Sequence, residues 1–167
     1  MLIGWFVSAC ASVPELAAPL PSKRLVLEQA LAGRTIGEGL FVNSLTGAET
    51  KFSVVILGTW NGSVLTLVED FTYEDGSKDR KTWHLTRTDG GRYEGTREDV
   101  LGRAEVSQDG PGVRLDYYVT LRTGLGGINV RFQDLLYLQE HGTIANKAVV
   151  SKFGLRIGRV EITMHPA

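Results

Sequence analysis

A chain of 167 residues with a formal charge of −1 is long enough for one domain with a substantial core. Its 18 basic and 19 acidic side chains nearly balance, leaving no electrostatic footprint for nucleic acid or for an anionic membrane surface. The single cysteine excludes an intramolecular disulfide and any metal site built from paired cysteines, and no run approaches the roughly 18–20 apolar residues of a spanning helix.

The chain opens on a short apolar stretch, Leu2 to Val7, followed by Ser8, Ala9 and Cys10. Two small residues before a cysteine end a bacterial lipoprotein signal, so residues 1–10 are expected to be such a signal with Cys10 as the lipidated residue. The stretch is at the short end of the roughly 7–15 apolar residues usual there, and no Lys or Arg precedes it. The competing reading of Cys10 is an incidental free thiol. Acylation would anchor the chain to a membrane in the bacterial envelope, each buried methylene adding about 0.8 kcal/mol. Ala11 occupies the position where an Asp would signal inner-membrane retention, which points to a periplasm-facing protein of the outer membrane.

Residues 11–23 are rich in Ala, Pro and Ser, and Pro14, Pro19 and Pro21 break any helix. This composition predicts a semi-extended tether. Ser22 is placed to cap a short helix over 23–32, with Leu27 and Leu31 on one face and Gly33 as its stop. The remaining chain, 24–167, reads as a single domain.

Beyond Arg34 the apolar pattern has period two. Strands are predicted near 35–43, 50–60, 63–74, 79–87, 92–97, 102–108, 113–122, 127–138, 143–151 and 156–164. Turn signals separate them: Asn61-Gly62 as a two-residue hairpin, then Asp75-Gly76, Asp89-Gly90-Gly91, Asp109-Gly110 and His141-Gly142. About ten antiparallel strands in successive hairpins, with no βαβ spacing, predict an all-β, up-and-down β-barrel of lipocalin-like type with a short N-terminal helix. Closure also removes the exposed edges that so many strands would otherwise present.

Two strands carry an acid on their more apolar face. Glu69 shares a face with Leu65, Leu67, Phe71 and Tyr73, and Asp134 shares one with Ile128, Val130, Phe132, Leu136 and Leu138. A buried carboxylate needs a partner, and Arg80, Arg131 and Lys152 are the candidate cations, with Asn146 as a neutral donor. Either these acids are polar fixtures of an apolar ligand cavity, or they form structural ion pairs at the barrel mouth or on a face assigned in the wrong register. The aromatic residues, among them Trp60, Phe71, Tyr73, Trp83, Tyr93, Tyr117, Tyr118, Phe132, Tyr137 and Phe153, are open to the same two readings, cavity wall or filled core.

Catalytic patterns are weak. The histidines, His84, His141 and His165, are scattered, with only His84 predicted on a strand. Ser63 and Ser151 lack a nucleophile elbow, and no HExxH or phosphate-binding glycine loop occurs. Gly124-Leu125-Gly126-Gly127 joins two strands rather than opening a helix. No catalytic residue, metal or cofactor is assigned.

The runs Leu67–Gly76, Arg80 with Trp83, Tyr93–Thr96, Asp99–Ala104, Val130–Asp134 with Tyr137-Leu138, Asn146 and Ser151–Gly154 together resemble the DUF3833 family of bacterial proteins, often lipoproteins. The similarity extends from the short helix to the C-terminus. Where the family shows an Asp-Asp-Trp-Met-Tyr-like run, this chain has Gln133-Asp134-Leu135-Leu136-Tyr137, without the first acid and the tryptophan. The resemblance implies a secreted or membrane-tethered protein associated with lipid-modifying enzymes of the cyclopropane-fatty-acid-synthase type. It singles out Glu69, Asp70, Arg80, Asp99, Arg131, Asp134, Asn146 and Lys152 as polar motif positions, the candidate ligand-binding set.

The function expected from sequence is a lipid-anchored envelope protein that binds or carries a lipid or other apolar small molecule. The alternatives are a non-catalytic partner of an envelope enzyme, distinguished by a filled barrel, and an enzyme on modified fatty acids with Glu69 or Asp134 as general base.

Overall fold

The computed structural model describes residues 23–123 and 126–167; Cys10, the tether up to Ser22 and the Gly124-Leu125 pair lie outside the described residues. Ten strands follow one short helix: α1 (Leu27–Ala30), β1 (Gly33–Asn43), β2 (Glu49–Trp60), β3 (Val64–Tyr73), β4 (Lys78–Arg87), β5 (Tyr93–Thr96), β6 (Val100–Asp109), β7 (Gly112–Thr123), β8 (Gly126–Leu138), β9 (Ile144–Lys152) and β10 (Leu155–Pro166). Every predicted strand is present, its ends displaced by at most two residues. Each strand pairs antiparallel with its neighbours in sequence, and β1 pairs with β10 to close the barrel. Closure gives every strand a neighbour on both sides, although the short β5 pairs only His84–Arg87 of β4 and leaves the first half of that strand without a partner there.

Register fixes which side chains face inward, because residues directly opposite share a face. Phe52, Val54 and Ile56 of β2 stand opposite Tyr73, Phe71 and Glu69 of β3. Glu69, Leu67 and Leu65 in turn face Lys81, Trp83 and Leu85 of β4. Across the barrel, Leu115 and Tyr117 of β7 pair with Asp134 and Phe132 of β8, and Asp134 and Leu136 pair with Ala148 and Asn146 of β9. The face assigned to Glu69 and Asp134 from periodicity is the inner one. Leu135, Tyr137 and Ala145 form a separate small apolar cluster on the opposite face of β8 and β9.

The helix is shorter than predicted, one turn instead of ten residues. Its N-terminal neighbour Val26 is extended and provides no side-chain cap, so the turn is held by tertiary packing rather than by capping. Leu25, Leu27 and Leu31 are fully buried in the core, and α1 plugs one end of the barrel. Gly58 permits this seating: a Cβ there would stand 1.7 Å from the carbonyl oxygen of Leu31. The Asn61-Gly62 hairpin is longer than the two-residue turn expected. Residues 61–63 connect β2 to β3, and the Asn61 side-chain oxygen accepts hydrogen bonds from the backbone N–H groups of Ser63 and Val64 at 3.0 and 2.8 Å. That carboxamide replaces a backbone turn bond and accommodates the extra residue.

Candidate functional site

The barrel is hollow. An internal cavity of about 830 Å³ extends from Leu27 and Leu31 of the helical plug toward the opposite end. There the lining residues Thr50, Asp79 and Arg122 are partly or fully exposed, so the mouth lies at the end away from α1. The walls are mainly apolar: Val54, Ile56, Leu67, Leu85, Leu115, Leu136, Ile162 and Met164 surround the deeper part. Phe52, Phe71 and Tyr73 form an aromatic group toward the mouth, with ring centroids 5.8–6.4 Å apart. The Phe52 ring lies directly on Gly39, where a Cβ would be 2.2 Å from it.

A belt of polar side chains crosses these apolar walls, and its centre is Arg97. β5 is only four residues long. Its inward alternation, Tyr93 then Gly95, places the next inward side chain on Arg97 in the turn that leads to β6. Two bonds pin that turn. The Thr82 N–H donates to Glu98 Oε2 at 2.9 Å, and the Thr120 N–H donates to the Asp99 carbonyl at 3.1 Å. The guanidinium sits 4.6 Å from the Trp83 ring centre and 5.5 Å from that of Tyr117, a cation–π arrangement in a desolvated setting. Its Nε donates to Asp99 Oδ1 at 2.7 Å, while Nη1 stands 3.9 Å from Glu69 Oε2. Lys81 extends the belt toward the mouth, 3.0 Å from Asp79 and 3.5 Å from Asp99.

Tyr117 links this group to the opposite wall. Its ring meets Trp83 edge-on at 5.1 Å and stacks on Phe132 at 5.5 Å. Its hydroxyl faces Asp134, close enough to favour the carboxylate, yet it makes no well-formed hydrogen bond to Oδ2, which is buried with no partner. Asn146 Nδ2 donates to Asp134 Oδ1 at 3.1 Å. The amide oxygen of Asn146 is also buried and unpartnered.

Burial sets the protonation behaviour of this belt. It pushes the Glu69 carboxyl up to about 7, against the opposing pull of Arg97. It raises Asp134 to about 6 in spite of the donors Asn146 and Tyr117. Burial and the nearby Asp134 hold the Tyr117 phenol well above its ordinary range. Burial also opposes the charge of Arg97, but Tyr117, Glu69 and Asp99 more than offset it and the guanidinium stays firmly protonated. Two acids held toward their neutral form by burial, Glu69 and Asp134, thus stand with the protonated Arg97 inside an apolar chamber.

The polar motif positions divide between the two faces. Glu69, Asp99, Asp134 and Asn146 line the cavity. Asp70 and Arg80 pair with each other on the outer surface, at 2.6 and 2.8 Å through two parallel bonds. Arg131 bonds Asp116 on the outside at 2.7 Å and lies over Tyr118. Lys152 ends β9 with its amine 5.3 Å from the Phe153 ring. The cations proposed as partners of the inward acids therefore do not reach them; Arg97 and Lys81 stand there instead. Of the aromatic residues, Phe71, Tyr73, Trp83, Tyr117 and Phe132 line the chamber, whereas Tyr118 and Phe153 are exposed. His84 lies on β4 beside Thr66; His165 also falls on a strand, β10, which the predicted end at 164 had left out. Among the described residues no group of three or more His, Cys, Asp or Glu side chains is arranged to hold a metal.

Comparison with known proteins agrees with this architecture. The sequence matches a family model described as "Protein of unknown function (DUF3833)" over residues 5–166. No curated protein matches the sequence. Among solved structures, the S-type phycobiliprotein lyase CPES from Guillardia theta superposes with a TM-score of 0.63 at 9% identity, covering 84% of this chain and 90% of that one. EF1p2_mFAP2b bound to DFHBI gives a TM-score of 0.47 at 11% identity, over 85% of this chain and 98% of that one. The lyase likeness is one of fold. The chain belongs to the DUF3833 family.

Proposed function

We propose that this DUF3833 protein binds or carries an apolar small molecule, a lipid foremost, inside its barrel, and that it works tethered to the bacterial envelope through lipid on Cys10. The observation that carries the binding reading is the open interior: about 830 Å³, within the range of roughly 300–1,000 Å³ typical of small-molecule sites. Apolar walls with a few convergent polar groups are the usual composition of such sites. A scaffold that served an envelope enzyme through its outer surface alone would gain stability by filling this chamber, since each void forfeits packing energy. The Val7-Ser8-Ala9-Cys10 run and the Pro-rich segment after it support the anchored, periplasm-facing reading.

Native mass spectrometry of the full chain, purified without denaturation, tests binding. The expected result is a small-molecule adduct that leaves on denaturation; empty protein from several hosts, with no saturable uptake of a fluorescent fatty acid, overturns it. Labelling with radioactive palmitate tests the anchor separately: label is expected on the wild type and lost in Cys10→Ser, and an unlabelled wild type contradicts it.

A second reading has one observation in its favour. Glu69, with its carboxyl raised to about 7 by burial, is suited to take up a proton near neutral pH, as a general base acting on a modified fatty acid must. Loss of a cellular phenotype in Glu69→Gln while ligand uptake persists would favour the enzyme; an unchanged phenotype would count against it.

A further inference from the structure

Three large apolar side chains stand in water at the mouth end of the barrel. Leu45, Phe153 and Leu155 are 76%, 93% and 55% exposed. Leu45 belongs to the β1–β2 turn, Phe153 to the β9–β10 turn, and Leu155 begins β10. The two turns are neighbours, because β1 pairs with β10 and the Ser44 N–H donates to the Ile157 carbonyl at 2.9 Å. A single exposed leucine is ordinary, whereas an apolar edge gathered in one place marks an interaction site.

Phe153 is the sharpest signal of the three. Lys152 and Leu155 pair across a two-residue turn in which Phe153 and Gly154 both have positive φ, 51° and 77°. A turn of this kind favours Asn, Asp or Gly at its first position, and a bulky side chain there is an outlier. Folding returns little for it. The ring is almost wholly in solvent, and its contact with the Lys152 amine at 5.3 Å is weak at an exposed site.

Charge separates the same edge from the rest of the rim. The β1–β2, β9–β10 and β7–β8 turns are consecutive around the barrel. Beside them stand Arg122, Lys152 and Arg156, with Glu49 opposing them; Arg122 and Arg156 make no ion pair among the described residues. The acids Glu74, Asp75, Asp79 and Glu98 lie on the other half, at the β3–β4 and β5–β6 turns. The near-balance of charge over the whole chain thus conceals a polarised rim. Apolar tips flanked by cations complement a bilayer with anionic head groups, where rings and leucines enter the acyl boundary and Lys and Arg keep their charges at the surface. A stable protein partner needs a broad, closely packed face; side chains on separate turns offer points of insertion instead.

We propose that this half of the mouth rim docks on an anionic lipid surface, with Phe153 and Leu45 inserted and Arg122, Lys152 and Arg156 among the head groups. The mouth then opens against the bilayer. The chain enters the barrel at the opposite end, where the Leu25 N–H donates to the Pro111 carbonyl. Thirteen residues separate Cys10 from Lys23, at most roughly 45 Å of chain, against about 30 Å for a tilted strand of the length of β10. An anchor at Cys10 therefore lets the mouth turn to the same membrane. The docking goes beyond the cavity reading and depends neither on it nor on acylation.

Flotation of the full chain carrying Cys10→Ser, which removes any acyl anchor, tests this with vesicles of phosphatidylcholine alone or mixed equally with phosphatidylglycerol. Binding is expected to the mixed vesicles and to weaken in high salt. Phe153→Asn in that background is expected to lower vesicle affinity about tenfold while leaving the urea midpoint unchanged or raised, since Asn suits the turn. Arg156→Gln is expected to lower it about fivefold on mixed vesicles. The tryptophan of Phe153→Trp is expected to be quenched by brominated acyl chains beyond the quenching of its parent; that of Leu57→Trp, near the plug end of β2, is not. No binding by the parent, equal binding by Phe153→Asn, or no added quenching of Phe153→Trp overturns the docking. Self-association of the parent that Phe153→Asn abolishes, with vesicle binding unchanged, assigns the edge to a second copy of the chain and overturns it as well. Uptake of the fluorescent fatty acid is read separately, so either reading can fail alone.

Discussion

Glu69 and Asp70 are neighbours on one strand and live in opposite chemical worlds. Asp70 points outward, where two parallel bonds from Arg80 hold its carboxyl below the ordinary range. Glu69 points inward, where burial pushes its carboxyl up to about 7 even with Arg97 nearby. The outer pair has the better hydrogen-bond geometry, yet water screens it and its removal costs little. The inner contact is longer, 3.9 Å, and it governs much more, because in a desolvated chamber every charge must be balanced or neutralised. In this barrel the period of two determines which ion pairs matter.

The strongest way to break this contrast is to remove the central inner cation. Arg97→Met leaves Glu69 and Asp99 without their guanidinium and is expected to cost about 3–5 kcal/mol in urea unfolding at pH 8. The loss should shrink toward pH 4 as Glu69 protonates. A change at pH 8 no larger than that of a surface substitution would mean the inner belt is solvated like the outside.

Glu69→Gln sharpens the contrast with a sign. The folded protein retains the Glu69 proton up to about 7, whereas the unfolded chain releases it near its ordinary value of about 4.3. Between those values the native state binds more protons, so stability falls as pH rises through this window and stays reduced above it. The Gln variant lacks that slope. It is expected to match the wild type near pH 4 and to exceed it by about 3 kcal/mol at pH 8; parallel stability–pH curves would contradict the burial of this carboxyl.

Glycine provides a smaller version of the same comparison. Gly39 faces inward beneath the Phe52 ring, whereas Gly47 in the β1–β2 turn has open space around it. Gly39→Ala is expected to cost about 1 kcal/mol, at the low end for overpacking because the ring can swing aside. It should also slow ligand exchange by pushing Phe52 toward the mouth, an effect that stopped-flow dye uptake would detect. On the outer face, Arg80→Gln is expected to leave the urea midpoint and dye uptake unchanged.

The strand order was legible in the sequence because ten alternating segments joined by nine hairpin-length connections predict an up-and-down closure, whereas the face of Glu69 and Asp134 stayed open to a register slip until the strand pairing fixed it. The helix was over-read: its capping signal lay in Ser22, but a single turn held by Leu27 and Leu31 against Gly58 suffices to plug the barrel. The cations were misplaced for a different reason. Arg80 and Arg131 lie on regular strands and drew attention, while Arg97 sits in a Thr-Arg-Glu-Asp run that reads as a solvated turn. The signal was present in Tyr93, Gly95 and Arg97, which continue the period of two past the end of a short strand. The hollow interior was not legible, because Trp83, Tyr117 and Phe132 fit a filled core as well as a cavity wall until their packing places them around Arg97.

The central claim is that ligand enters the chamber rather than adhering to the surface. Methyl-labelled full-length protein titrated with 1-decanol and followed by NMR distinguishes the two directly. The account predicts saturating shifts at the inward methyls of Leu67, Leu136, Ile162 and Met164, with the exposed Leu45, Leu57, Leu101 and Leu155 unmoved. Shifts confined to that exposed set, or none at all, would contradict it.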